Sequence, residues 1–340
     1  MPRTRAWERL SNQELLEWRI CDLGLELEGT GLEKPIERLY AELEARDLRV
    51  RPHCWLSEEW FSPDGIPGIA IPFYLAHPRL KRLERSQILE VEGGNQAECL
   101  RLLRHEAGHA VQNAFRLHRR KKWRELFGSS TEPYPDYYRP NPGSRRYVVH
   151  LPYWYAQSHP AEDFAETFAV WLTPGSAWQR RYKGWPALRK LCYVDELMRE
   201  IAGRKPPVRS RARPDPVHRI RTTLGEHYRA KRARYRIFAS RAYDQDLLRF
   251  FAPPKAGSSR SQSASAFLRR HRTEIRRRVA RSTGKHELVL DTVLGEMIAR
   301  ARELKLRATG PKRQLVIDFA ILLAARSAEF AYRGRDWHAL

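Results

Sequence analysis

The side chains most able to do chemistry in this 340-residue sequence stand together in the pentapeptide His-Glu-Ala-Gly-His, from His105 to His109. Residues four apart share a face of a helix, so the imidazoles of His105 and His109 can reach one cation. Imidazole nitrogen suits zinc, and Glu106 projects to the side. There its carboxylate can take a proton from a zinc-activated water and pass it to a leaving amine. The pentapeptide therefore predicts two metal ligands and a general base.

A catalytic zinc site needs one more protein ligand and an open fourth position. The best candidate is Glu162, which shares a helix face with Glu166 in the segment 159–168. If Glu162 binds the metal, Glu166 can accept the second N–H of a ligating imidazole or fix the helix. His159 precedes the helix and Asp163 points about a quarter-turn away from Glu162, so both are weaker alternatives. The opposing interpretation is a surface helix with two solvated histidines and carboxylates in ordinary ion pairs.

Hydrophobic periodicity predicts the helices that position these residues. One helix covers Gln96 to Leu117 with Asn95 as its cap, and a second begins at Pro160 and ends before Pro174. The stretch 67–75 favours a short strand, whose two prolines suit a sheet edge. Further helical spacing covers residues 12–20, 31–48 and 186–201. Both motifs are therefore predicted to lie on amphipathic helices.

The segment from about Leu48 to Met198 resembles the bacterial family named putative zinc-binding metallopeptidases. In that family, His-Glu-Ala-Gly-His is followed by a segment of the form Glu-Asp-Phe/Trp-Ala-Glu-Thr. The two motifs stand here at 105–109 and 162–167, and further matching stretches lie at 55–65, 155–160 and 184–188. The Glu-x-Phe-Ala-Glu pattern is also similar to that of anthrax lethal factor and its relatives.

This resemblance implies a zincin-like α+β domain in which Glu162 is the third zinc ligand and Glu166 is the supporting acid. In those relatives, a tyrosine seven residues before the ligating Glu steadies the oxyanion of the tetrahedral intermediate. Tyr155 has that spacing here. The neighbouring Tyr153 and Trp154 can equally be core aromatics, so the role of Tyr155 stays open.

The positive charge of the chain is concentrated toward its end. Lys and Arg number 63 against 40 Asp and Glu overall, and 31 against 12 from Pro206 onward. A Pro/Arg-rich linker at 206–217 predicts a boundary between a zincin-like domain over residues 1–205 and a mostly helical basic region over 218–340. A flexible Pro/Ser-rich break is expected at about 252–265. The basic region can bind nucleic acid or an acidic partner, or it can consist of solvated helix faces.

Other features exclude several classes of protein. The four cysteines lie far apart and form no disulfide framework. No apolar run is long enough to span a bilayer, and the first residues lack the apolar core of a secretory signal. We therefore expect a cytoplasmic protein without membrane association.

Together these observations predict a zinc-dependent metallohydrolase with one zinc per chain, which cleaves a peptide bond with metal-activated water and Glu106 as general base. The substrate is expected to be a peptide or protein that adds to the sheet edge at the 69–75 strand. A Tyr/Pro-rich loop at 134–143 is expected to line the cleft, or to be a rigid connector. Two other interpretations stay open. One is a nucleic-acid or acidic-partner binding protein with a regulatory or structural zinc site, and the other is a structural zinc closed by His159 or Asp163 as a fourth ligand.

Overall fold

The computed structural model describes residues 5–135, 137–138, 140–234, 243–253, 262–332 and 338–339. Its helices in chain order are α1 (Asn12–Leu16), α2 (Glu33–Glu44), α3 (Pro78–Ile88), α4 (Gln96–Phe115), α5 (Lys121–Phe127), α6 (Pro160–Leu172), α7 (Trp178–Arg181), α8 (Ala187–Ile201), α9 (Leu224–Arg234), α10 (Asp244–Phe250), α11 (Ala264–Thr283), α12 (Glu287–Glu303) and α13 (Lys312–Tyr332). The strands are β1 (His53–Ser57), β2 (Gly68–Pro72), β3 (Tyr137–Tyr138), β4 (Phe251–Ala252), β5 (Arg307–Ala308) and β6 (His338–Ala339). This mostly helical structure with small sheets agrees with the predicted α+β class.

The chain divides into two compact units. Unit 1 comprises the residues up to Gln87 together with Val91–Ala230, and unit 2 comprises Ile88–Glu90 together with Lys231–Ala339. The division at residue 230 lies later in the chain than the linker that the sequence predicted at 206–217. The Pro/Arg-rich segment therefore belongs to unit 1 and is not a connector between the units.

Side chains of β1 hold this Pro/Arg-rich segment. The ring Nε2 of His53 lies 2.8 Å from the carbonyl oxygen of Ala212, and the indole N–H of Trp55 donates to the carbonyl of Pro214 at 2.9 Å. The hydroxyl of Ser57 donates to the carbonyl of Asp215 at 2.7 Å. Prolines prevent regular secondary structure in this segment, but they leave its carbonyl groups free to accept hydrogen bonds from the strand.

The sheet of unit 1 is small and its second strand is enclosed. β1 and β2 pair in parallel, with Trp55 opposite Ala70. On the other side of β2, the backbone N–H of Ala70 donates to the carbonyl of Phe61 at 2.8 Å. All five residues of β2 are buried. β2 is thus the end strand of a two-stranded sheet, as the edge prediction had it, but it is buried and Phe61 pairs with its middle residue. The addition of a substrate strand at this edge stays a prediction.

The two motif helices cross at close range. α4 packs against α6, α2 and β2, and α6 packs in turn against α8 and α5. At the crossing, a Cβ atom placed on Gly108 would lie 2.7 Å from the Cα of Ala165. Only glycine fits at this point, because the opposing atom belongs to the backbone of α6 and cannot turn aside.

A buried ion pair fixes α4 against α2 beside the first motif. Arg104 donates from Nε and from a terminal nitrogen to the two carboxylate oxygens of Glu42, both at 2.7 Å. Glu42 is buried, and Arg38 on the same helix donates to it at 3.0 Å. A two-pronged contact of this kind restricts rotation of α4 about its axis, and that rotation decides where His105 points.

Helices α10 to α13 of unit 2 enclose a separate apolar core, which includes Phe267, Leu294 and Phe319. β4 and β5 pair antiparallel beside it, with Phe251 opposite Ala308. The flexible break predicted at about 252–265 lies largely outside the described residues, which resume at 262. No helix in the described part of the chain is both long enough and apolar enough to cross a membrane.

Replacing Gly108 with alanine should destabilise the protein, although alanine normally favours a helix by about 1 kcal/mol over glycine. We expect the Cβ to push α6 away and to lower the free energy of unfolding by about 1 to 3 kcal/mol. Urea unfolding followed by far-UV circular dichroism measures this. Gly295→Ala in α12 is the control, because an added Cβ there meets only the end of the Arg272 side chain at 3.4 Å. A Gly108→Ala protein as stable as the wild type would contradict the close crossing.

Candidate metal centre

α4 presents His105 and His109 from its buried face. The helix begins at the cap Asn95, whose side chain accepts a hydrogen bond from the backbone N–H of Glu98 at 3.0 Å. His105 is 2% exposed and His109 is 9% exposed. Their Nε2 atoms lie 3.3 Å apart, as expected for two imidazoles that are one helical turn apart on the same face.

α6 brings Glu162 to the same point. Its Oε2 atom lies 2.9 Å from Nε2 of His105 and 3.2 Å from Nε2 of His109. Together with the separation of the two nitrogens, these distances make a nearly equilateral triangle of ligand atoms. Tetrahedral zinc with bonds of about 2.0 to 2.1 Å requires ligand atoms about 3.3 Å apart, so the spacing fits that ion.

Glu166, one turn further along α6, orients His105. The Nδ1–H of His105 donates to Oε1 of Glu166 at 2.9 Å, and this contact turns Nε2, the nitrogen that would bind a metal, toward Glu162 and His109. The other oxygen of Glu166 accepts the backbone N–H of Leu151 at 2.8 Å and that of His150 at 3.3 Å. Glu166 is fully buried, and this set of donors stabilises its negative charge.

Three electron-rich ligand atoms thus converge in a buried place. Burial lowers the pKa of His105, but the hydrogen bonds and charges of Glu162 and Glu166 outweigh burial and hold it well above its usual value. Burial raises the pKa of Glu162, yet the adjacent histidines hold it well below its usual value. Both directions have the same cause, the close contact of the histidines with buried carboxylates, and a cation bound at this point would interact favourably with those carboxylates.

The two residues assigned chemical roles lie beside this triangle. Glu106 is 6% exposed, and burial raises its pKa while His105 and His109 partly lower it. The ring of Tyr155 lies 5.5 Å from the ring of His105, centroid to centroid, and burial raises the pKa of its phenol. The phenol of Tyr155 therefore lies next to His105. Its neighbour Trp154 adopts a positive φ of 54°.

His159 and Asp163, the two alternative ligands, are engaged elsewhere. His159 caps α6, with Nδ1 accepting the backbone N–H of Ala161 at 3.1 Å and Nε2 lying 2.9 Å from the carbonyl of Glu132. Asp163 forms a buried ion pair with Lys190 of α8. Within the described residues, the group of side chains able to hold a metal ion is His105, His109 and Glu162.

Tyr134 also contacts the centre, although no sequence pattern indicated it. Its hydroxyl donates to Oε1 of Glu162 at 2.8 Å. The sequence suggested only that the 134–143 loop lines the cleft, because a contact made by a loop has no periodicity from which it can be predicted. Positions 136 and 139 of that loop lie outside the described residues.

Comparison with known proteins supports a metal-binding interpretation. Residues 93–177 match the family model described as "Putative zinc-binding metallo-peptidase". The match includes both motif helices, Tyr134 and Tyr155, and covers less than half of the chain. No curated protein and no solved structure matches the chain. The likeness to zincins and to anthrax lethal factor therefore stays a prediction.

The Glu166→Gln substitution should weaken metal binding without removing a ligand. An amide does not carry the negative charge that fixes the tautomer of His105, and the loss of such a partner typically costs about 10- to 100-fold in metal affinity. Competition with a chromogenic chelator gives the zinc dissociation constant. Glu196→Gln, at an exposed carboxylate paired with Lys122 at 2.6 Å, is the matched control. Equal affinities of the Glu166→Gln and control proteins would contradict the orienting role.

Proposed function

We propose that this protein is a zinc-dependent metallohydrolase that cleaves peptide bonds. The observation that carries the proposal is the convergence of His105, His109 and Glu162 from two helices on one buried point, at the separations that a tetrahedral zinc requires. The family match over the same helices supports zinc and peptides as the metal and the substrate class.

Each residue has a separate task in this proposal. His105, His109 and Glu162 would hold a zinc ion, which would lower the pKa of water toward neutrality and polarise the substrate carbonyl. Glu106 takes a proton from the attacking water and delivers it to the leaving amine. The phenol of Tyr155 donates a hydrogen bond to the carbonyl oxygen of the substrate, which becomes negative in the transition state. Glu166 keeps His105 in the tautomer that exposes Nε2.

The number of protein ligands favours a catalytic over a structural zinc. Structural zinc sites are closed by four protein ligands, whereas catalytic sites keep a position for water and substrate. The hydrogen bonds of His159 and the ion pair of Asp163 leave three ligands among the described residues. A purely structural site also gives no reason for an acid directly after its first histidine.

Metal analysis tests the ligand set first. Purified protein should contain about one zinc per chain. His105→Ala and Glu162→Ala should each lose most of it, because two remaining ligands bind zinc weakly. Lys122→Ala, which removes an exposed charge of α5, should keep its zinc. Elemental analysis after reconstitution measures the content, and a wild-type chain that takes up no zinc would end the metallohydrolase proposal.

Glu106→Gln separates metal binding from chemistry. The amide cannot accept a proton, so we expect retained zinc with peptide hydrolysis lowered at least about 100-fold. Mixtures of unstructured peptides analysed by mass spectrometry supply the assay without assuming a cleavage sequence. If the Glu106→Gln protein cleaves as fast as the wild type, the proton transfer does not pass through this carboxylate.

A second candidate function rests on the way α11 distributes its arginines. Toward α12, Arg272 donates to Asp291 at 2.7 Å, and Arg276 donates to Glu287 at 2.8 Å. On the exposed face, Arg278 pairs with Glu274 at 3.0 Å. The remaining exposed arginines of this helix form no ion pair within the described residues; they are Arg269, Arg270, Arg277 and Arg281.

We propose that this exposed face binds the phosphate backbone of nucleic acid. The four arginines extend over roughly 18 Å of helix, a length along which duplex DNA presents about ten phosphate charges. The large apolar side chains of α11 (Phe267, Leu268, Ile275 and Val279) are buried in the core of unit 2 and are not available to enter a lipid surface. This binding is independent of the zinc site.

Salt-dependent DNA binding tests the α11 face. Replacing the four arginines with glutamine should reduce the slope of log affinity against log salt by about 3 to 4, as expected when four phosphate contacts are lost. Fluorescence anisotropy with a labelled duplex of arbitrary sequence measures this slope. The charge-matched control replaces four exposed basic residues of unit 1 with glutamine: Lys34, Arg180, Lys183 and Arg189. Equal losses in both proteins would show that net charge alone, and not α11, governs binding.

A further inference from the structure

The two oxygens of Glu162 have different partners. Oε2 faces His105 and His109, at 2.9 and 3.2 Å. Oε1 instead accepts the hydroxyl of Tyr134 at 2.8 Å. A carboxylate beside a cation can offer one oxygen or both, and a hydrogen bond to one of them favours the arrangement in which only the other binds.

His159 holds Tyr134 in place. The two rings stack with centroids 3.9 Å apart and planes inclined by 19°. The same histidine caps α6 and lies 2.9 Å from the carbonyl of Glu132, two residues before Tyr134. The helix start that carries Glu162 and the loop that carries Tyr134 are thus joined through one side chain. The distance from Tyr134 to Glu162 is fixed locally and does not depend on the path of the rest of the loop.

The exposure of Tyr134 argues against a packing role. The residue is 51% exposed, whereas Glu162 is 5% exposed. The ring therefore lies at the surface, and its hydroxyl reaches inward to a buried carboxylate. A tyrosine that served only to fill the core would be buried, as Tyr74 and Tyr182 are.

We propose that Tyr134 is a positioning residue that keeps one oxygen of Glu162 occupied, so that Glu162 presents a single oxygen to the metal. This inference rests on the proposed function and deepens it. A carboxylate that offers two oxygens would use the coordination position that water and substrate need. Tyr134 acts through Glu162 and is distinct from Tyr155, which is assigned to the reacting oxygen.

The test compares Tyr134→Phe and Tyr134→Ala with the wild-type chain. Phenylalanine keeps the ring that stacks on His159 and removes only the hydroxyl, whereas alanine removes both. Tyr40→Phe is the control, because it removes a phenol that donates to the carbonyl of Pro52 at 2.6 Å, away from the centre. Zinc affinity is measured by chelator competition, and the visible spectrum is recorded after substitution with Co²⁺, whose absorption reports coordination number.

We expect Tyr134→Phe to weaken zinc binding by about 10- to 100-fold, the usual effect of losing a hydrogen bond to a metal ligand. The Co²⁺ bands should also lose intensity as the second oxygen of Glu162 binds and coordination rises from four to five. Tyr40→Phe should match the wild type in both measurements. A purely structural role would lower stability and leave the Co²⁺ spectrum unchanged.

The outcomes separate this inference from the proposed function. If the wild-type chain binds zinc and the Tyr134→Phe protein matches it in affinity and spectrum, the positioning role is wrong and the metallohydrolase proposal stands. If the wild-type chain binds neither zinc nor Co²⁺, the proposed function fails first. If Tyr134→Ala alters the spectrum but Tyr134→Phe does not, ring stacking and not the hydroxyl holds Glu162, and the proposal is again wrong.

Discussion

The close approach of α4 and α6 at Gly108 is the constraint on which the candidate metal centre depends. Helix axes lie nearer when one helix carries no side chain at the crossing, and a Cβ on Gly108 would lie 2.7 Å from the Cα of Ala165. His105 and His109 lie on either side of this glycine, and Glu162 and Glu166 flank Ala165. The glycine therefore sets the separation of the two pairs, and the small residue between the histidines is a requirement of the geometry.

The close crossing of the two helices also places four acidic side chains in the protein interior. Glu106, Glu162, Asp163 and Glu166 are all buried within or beside the crossing. Removing charged carboxylates from water is costly unless each finds a partner. Asp163 has Lys190, and Glu166 has His105 and two backbone N–H groups. Among the described residues, Glu162 has the two histidines and Tyr134 as partners, and a cation bound at this point would add to them.

The sequence predicted the centre better than its surroundings. Periodicity predicted α4 and α6 to within a few residues, and the spacing inside each helix predicted that His105 and His109 share one helix face and that Glu162 and Glu166 share another. The face of a helix on which a residue lies depends only on spacing within that helix, so it can be predicted from the sequence of that segment alone. Tyr134 and the enclosure of β2 by Phe61 could not be predicted, because each depends on where a loop runs in space. The catalytic roles of Glu106 and Tyr155 stay predictions.

The Pro/Arg-rich stretch at 206–217 looked like a connector because its composition forbids helix and strand. Its carbonyl groups nevertheless receive the side chains of His53, Trp55 and Ser57 from β1. A shortened protein that stopped at Lys205 would remove the carbonyl groups that contact the side chains of His53, Trp55 and Ser57. These side chains belong to β1, a strand of the sheet on which α4 packs. Any attempt to produce the unit that carries the candidate metal centre in isolation should therefore retain the chain through Ala230, where the compact unit ends.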